Sequence, residues 1–159
     1  MAVRAAREFS EKSKETLIGD VDIFKVNVGY DFGSWWVGHE WVKRHNREKI
    51  YTLDSLCICN DSFFGNVSVA GIEKMHLSDA DISGVSDSYD HCHHIQSFFI
   101  VIKGQYLKSG EFYRSLSSYK FPSVKSEVVR LGELLLSRNA TESRVKISSY
   151  KCYANLLGD

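Results

Sequence analysis

Leu53-Asp54-Ser55-Leu56-Cys57-Ile58-Cys59-Asn60 is the stretch on which the fold turns. It is short and apolar, and it ends in the polar triplet Asn60-Asp61-Ser62 followed by Phe63-Phe64-Gly65. A run of this kind reads as a buried strand inside a sheet covered on both faces, which places the chain in the α/β class. Gln96 to Lys103 reads as a second buried strand, ending at Gly104. Working outward, Asp20 to Val28 alternates loosely as a strand, and Arg144 to Tyr153 alternates as a final one. Helices are expected over 34–45 with Ser34 as N-cap, over 69–75, over 111–116, and over 124–139 with Val128, Leu131, Leu134 and Leu135 on one stripe. Residues 3–17 read as an amphipathic helix stopped by Gly19, and the Ser- and Gly-dotted acidic stretch 79–90 reads as a loop. With no repeat and no linker, the organisation expected is a single domain over 1–159, an N-terminal helix within 1–19 and an α/β core over 20–153.

Composition bounds the function classes. A chain of 159 residues has the length of about one domain, and 43% hydrophobic with 25% charged residues excludes disorder, collagen and coiled coil. Twenty basic residues cancel twenty acidic ones, so the charge that attracts nucleic acid is missing. No run approaches the roughly 18 apolar residues of a membrane span, and Met1 to Lys14 lacks the apolar centre of a signal peptide. A cytoplasmic protein, peripheral to a membrane at most, is expected. Cysteines at 57, 59, 92 and 152 fit neither a redox C-x-x-C nor a zinc ribbon and are expected to be reduced, mostly buried thiols.

The chemistry-bearing residues gather in the middle of the chain. Between Asp54 and Phe98 the acidic residues Asp54, Asp61, Glu73, Asp79, Asp81, Asp87 and Asp90 face one lysine, Lys74. Carboxylate oxygens suit a hard cation such as Mg²⁺ or Mn²⁺, although a solvated acidic loop is the commoner meaning of such a run. Asp79-Ala80-Asp81 spells D-x-D, the pattern that holds a metal against a pyrophosphate in many sugar-nucleotide enzymes. Position favours Asn60-Asp61 instead, because ligands of open α/β sheets bind at the carboxyl ends of strands. Four consecutive side chains, His91-Cys92-His93-His94, cannot easily converge on one zinc, so a single histidine at a substrate pocket is preferred, His94 first. Tyr30-Asp31 between Gly29 and Gly33 offers an acidic side chain where the backbone can approach a ligand closely. Trp35, Trp36 and Trp41 are either core or a sugar-stacking platform, core being the default for at least two. A serine-hydrolase elbow, a P-loop and Gly-x-Gly-x-x-Gly are absent from the sequence.

Several segments together resemble the rhamnan synthesis protein F family: Asn27 to Trp36, the strand ending Asn60-Asp61-Ser62-Phe63-Phe64-Gly65, Asp81 to Gly84, and His94 to Phe99 with Ser109 and Phe112. The set covers roughly residues 16 to 140 in the family's order. The resemblance implies a glycosyltransferase of surface polysaccharide assembly with a GT-A-like, Rossmann-related sheet flanked by helices. This chain is read as lacking the usual N-terminal β-α-β unit. The resemblance further implies a donor-side loop at Asn27, Gly29 and Asp31, and Asn60, Asp61 and Ser62 near the donor diphosphate, with Asp61 the residue for a divalent metal (Mg²⁺ or Mn²⁺). His94, Gln96 and Ser97 would line the sugar or acceptor side, and Glu127 would be the catalytic base of an inverting displacement.

The partners so implied are a nucleotide-sugar donor, in which rhamnose comes from the family's name, and a glycan or lipid-linked glycan acceptor. A companion domain or second copy would complete the pocket. The rival reading is a carbohydrate-binding or regulatory module that kept the fold and lost the chemistry. A metal-dependent phosphatase or nuclease is a third, weakened by the lack of a second strand-end carboxylate.

Overall fold

The computed structural model describes residues 2–6, 21–25, 29–45, 48, 52–60 and 68–151, with backbone alone for the first two segments. The chain opens with two strands, β1 (Ala2–Ala6) and β2 (Val21–Lys25), paired in parallel from Ala2 opposite Val21 to Ala6 opposite Lys25. This pair forms a sheet of its own, apart from the larger one. Residues 3–6 are strand rather than the expected helix, and the rest of that expected helix, 7–17, lies outside the described residues.

Helix α1 (Tyr30–His45) follows a left-handed entry in which Gly29 has φ 78° and Tyr30 φ 53°. Gly29 is required twice over, because a Cβ there would lie 2.5 Å from the Phe121 ring as well as at positive φ. The helix starts four residues before Ser34, which is interior to it and caps nothing. Next come β3 (Ser55–Cys59), α2 (Val69–Leu77), β4 (Ile82–Ser88), β5 (His94–Ile95) and β6 (Phe99–Lys103). Two short helices follow, α3 (Gly104–Ser109) and α4 (Glu111–Ser117). A longer helical stretch runs through α5 (Lys125–Val128), a π-helical turn at Val129–Leu134 and α6 (Leu135–Glu142), and β7 (Ile147–Lys151) ends the sheet.

The larger sheet is mixed. β3, β6 and β4 are antiparallel neighbours, β5 pairs antiparallel with the end of β4, and β7 runs parallel to β4. β6 is the apolar centre, with Ile100, Val101 and Ile102 all at or below 1% exposure. Ile100 and Ile102 join Ile58, Ile82, Leu107, Phe112 and Leu136 beneath the helices of one face, while Val101 meets Met75 of α2 and Val85 on the other. The fold is therefore α/β, a mixed five-stranded sheet flanked by helices.

β3 was expected inside the sheet, yet among the described residues it pairs only with β6 and forms an edge. Its alternate residues Cys57 and Cys59 are exposed, as is Cys92, and all three are free, which corrects the expectation of buried thiols. Partial burial and the neighbouring Cys59 push the Cys57 thiol up from its ordinary range.

β4 was expected to be a loop and is instead a central strand. Its polar groups are satisfied sideways: Ser83 Oγ lies 2.9 Å from Ser78 Oγ and 3.0 Å from Ser148 Oγ, and Ser86 Oγ donates to Gln96 Oε1 at 2.8 Å. Gly84 lets Ile95 press against the backbone, where a Cβ would fall 2.2 Å from the isoleucine Cγ2. The expected helix over 124–139 is present, lengthened to Glu142 and interrupted by the π-turn, where Gly132 receives the face of Phe32. Trp35 and Trp36 pack against the core, Trp35 on Phe32 at 4.6 Å and Trp36 edge-on to Phe121 at 5.2 Å.

Candidate functional site

β3 and β4 are both antiparallel to β6, so they run the same way and their carboxyl ends share one rim of the sheet. β7, parallel to β4, ends there too. The same rim carries the amino end of the antiparallel β6. Two polar corners occupy it, one at the end of β3 and one at the end of β4.

The first corner joins the end of β3 to the start of α1. Asn60 Nδ2 donates to Asp31 Oδ2 at 3.1 Å, bringing together two segments 29 residues apart in sequence. Asn60 Oδ1 is buried and has no hydrogen-bond partner among the described residues. A buried amide oxygen without a donor is costly, and buried polar groups ordinarily have a partner. The entry turn is fixed from the other side: the Tyr119 hydroxyl donates to Gly29 O at 2.9 Å, and the Tyr30 hydroxyl donates to Ser123 O at 3.2 Å. Burial, then the Asp31 charge, pushes the Tyr119 hydroxyl up to about 12, so it stays a donor throughout the physiological range. Trp35 Nε1 reaches Cys59 O at 3.4 Å and ties α1 to the same strand end.

The second corner is the β4–β5 hairpin. Asp87, 3% exposed, accepts at Oδ2 from His93 Nε2 at 3.0 Å and from Ser149 Oγ at 2.9 Å. The His93 ring lies 4.8 Å from the exposed ring of Tyr89, and His91 at the hairpin tip has φ 71°. Sequence reasoning passed over His93 and Asp87. The signal available was their spacing across a tight hairpin, hidden because β4 read as loop.

The other expected residues fall as follows. Asn27, Asp61 and Ser62 lie outside the described residues, while Gly29, Asp31 and Asn60 meet at the first corner. His94 is 2% exposed, its Nδ1 donating to Cys92 O at 2.8 Å and its Nε2 3.7 Å from Glu133. Ser97 N donates to the same Glu133 carboxylate at 2.7 Å, and Gln96 Oε1 receives Ser86. The segment 94–97 is thus bonded inward to the π-turn and to β4. Glu127 is exposed in the first turn of α5, four residues past the Ser123 that Tyr30 holds. Asp79 and Asp81 sit ahead of β4, at the opposite rim from Asn60, and both are taken by Lys146: its Nζ lies 3.1 Å from Asp79, and its backbone N–H donates to Asp81 at 3.0 Å. That ammonium holds the Asp79 carboxyl below the usual carboxylate range.

The oxygens at the first corner are of the kind a hard cation takes, but no group of three His, Cys, Asp or Glu close enough to hold a metal occurs among the described residues. No helix among them is long and apolar enough to cross a membrane.

The fold is an α/β one, with polar groups collected at one strand-end rim. Residues 4–139 match the family rhamnan synthesis protein F, and the chain belongs to that family, whose work is rhamnan synthesis. Neither the curated proteins nor the solved structures contain a match to it.

Proposed function

We propose that the chain is a glycosyltransferase of polysaccharide assembly that takes a sugar, rhamnose by the family's name, from a nucleotide-sugar donor. The observation that carries this reading is the contact between Asn60 and Asp31, which joins the end of β3 to the Gly29 turn and leaves a buried amide oxygen without a partner among the described residues. The donor lies along this corner, with Asn27, Gly29 and Asp31 on its sugar-nucleotide side and Asn60, Asp61 and Ser62 nearer the diphosphate. Asp61 would hold a divalent cation, which would supply charge neutralisation for the departing nucleoside diphosphate. His94, Gln96 and Ser97, bonded inward, act on the acceptor side by keeping the rim in shape. The acceptor is a glycan or a lipid-linked glycan. The rival reading is a carbohydrate-binding or regulatory module without the transfer chemistry.

Calorimetric titration with nucleoside diphosphates, with and without Mn²⁺, separates the two readings. The expected outcome is metal-dependent nucleotide binding; glycan binding without it identifies a module. In turnover of a nucleotide-activated rhamnose, Asp61→Ala is expected to lose more than tenfold, the cost of about 1.4 kcal/mol of transition-state contact. Activity within about twofold of the parent removes Asp61 from the site.

A further inference from the structure

The second corner of the rim has the build of a general base. With Asp87 ionised, its carboxylate is an acceptor only, so that His93 presents Nε2–H to it and Ser149 its hydroxyl. A neutral imidazole that donates from Nε2 carries its lone pair on Nδ1. The Asp87 side chain is 2% exposed and fixed on the central strand, whereas His93 is 34% exposed, so the carboxylate is held in the protein while the ring can be reached from outside. The neighbouring His94, favoured on sequence grounds, has its ring shut in the interior between Cys92 O and Glu133. Glu127 is exposed, and its helix has a β-region N-cap, Val124, without a side-chain cap bond to fix that turn.

We infer that His93 is the catalytic base of the transfer, with Asp87 as its positioning residue. The inference rests on the transferase reading above. His93 Nδ1 takes the proton of the acceptor hydroxyl. The oxygen's electron pair forms the new bond to the anomeric carbon. The bond from that carbon to the diphosphate oxygen breaks, and its electron pair leaves with the nucleoside diphosphate. The imidazolium so formed is stabilised by the ionised Asp87 and later gives its proton to water. The division of labour follows the rim, with the donor diphosphate at the β3 end and the base at the β4–β5 hairpin.

The test uses the full chain, a nucleotide-activated rhamnose, a rhamnan oligosaccharide acceptor, and the variant His93→Ala. Nucleoside diphosphate binding by calorimetry and thermal melting by circular dichroism are expected to stay as in the parent. Transfer is expected to fall by about 10²- to 10⁴-fold, the usual worth of a positioned base. Added imidazole is expected to restore part of the rate, which a merely structural histidine does not allow. Transfer within threefold of the parent overturns the base assignment and leaves the transferase reading standing. So does a loss that imidazole cannot relieve, or loss in Glu127→Gln with none in His93→Ala. A parent chain that neither binds a nucleoside diphosphate nor transfers sugar overturns the transferase reading, and the base with it.

Discussion

The two corners of the strand-end rim are built in opposite ways. At the β4–β5 hairpin, residues six apart in sequence meet, and the one buried carboxylate satisfies His93 and Ser149 together. At the β3–α1 corner, residues 29 apart meet, and Asn60 is left with an acceptor that nothing among the described residues engages. The first is an arrangement that stabilises the fold and presents a ring outward. The second leaves a polar debt of the kind a ligand settles. The difference separates a polar group fully engaged by its neighbours from one that the described residues leave open.

Three substitutions sharpen or break that contrast. Asp87→Ala removes the buried acceptor that the part-exposed His93 and Ser149 share, and about 2 kcal/mol of stability is expected to go, read by urea unfolding. A loss below about 1 kcal/mol means the hairpin corner is no more tightly built than the other.

Tyr119→Phe removes the hydroxyl that fixes Gly29 O and is expected to cost about 1.5 kcal/mol. The same residue gives a pH signature. Its folded-state pKa, pushed up to about 12 by burial and then by Asp31, lies above the ordinary value of 10.0. The unfolded chain therefore loses this proton first. The stability it contributes is full below pH 10 and is lost as pH rises toward 12. Tyr106, also pushed up to about 12 by burial, adds to the same decline. Melts between pH 9 and 12 should show a shallower fall in the Tyr119→Phe variant, and an unchanged slope would contradict the assignment.

Asn60→Ala gives the smallest stability effect. It deletes the bond to Asp31 but also deletes the partnerless oxygen, and the two nearly offset, within about 1 kcal/mol. Affinity for a nucleoside diphosphate should nonetheless drop measurably by calorimetry. Stability loss comparable to Asp87→Ala, with affinity intact, would make Asn60 a structural residue and remove the contrast.

Much of the architecture could be read before the structure. Residues 55–59, 69–77, 99–103, 111–117 and 147–151 fold as their apolar runs and periodicities indicate. β4 could not be read, because Ile-Ser-Gly-Val-Ser-Asp-Ser has the composition of a loop. It is a strand because Ser78, Ser148, Gln96, His93 and Ser149, from elsewhere in the chain, bond its polar side chains, and because Gly84 admits Ile95. Propensity at such a position is set by partners, not by the residue itself. The first strand was missed for a similar reason: Ala2 to Ala6 takes its state from pairing with β2. At the candidate site, Gly29, Asp31 and Asn60 were legible from turn chemistry and strand ends, whereas His93 was eclipsed by His94, since adjacent residues cannot be ranked for exposure until the hairpin that turns them is known.

The sequence by itself determined the α/β class, the apolar centre at 99–103, the strand at 55–59 and the family. Those follow from local pattern and from motifs carried in order along the chain. Only the tertiary structure decided that β3 is an edge, that Asp31 meets Asn60, and that a buried carboxylate stands behind His93. Each of these depends on which segments lie side by side, and the burial of a polar group is a property of its neighbours in space.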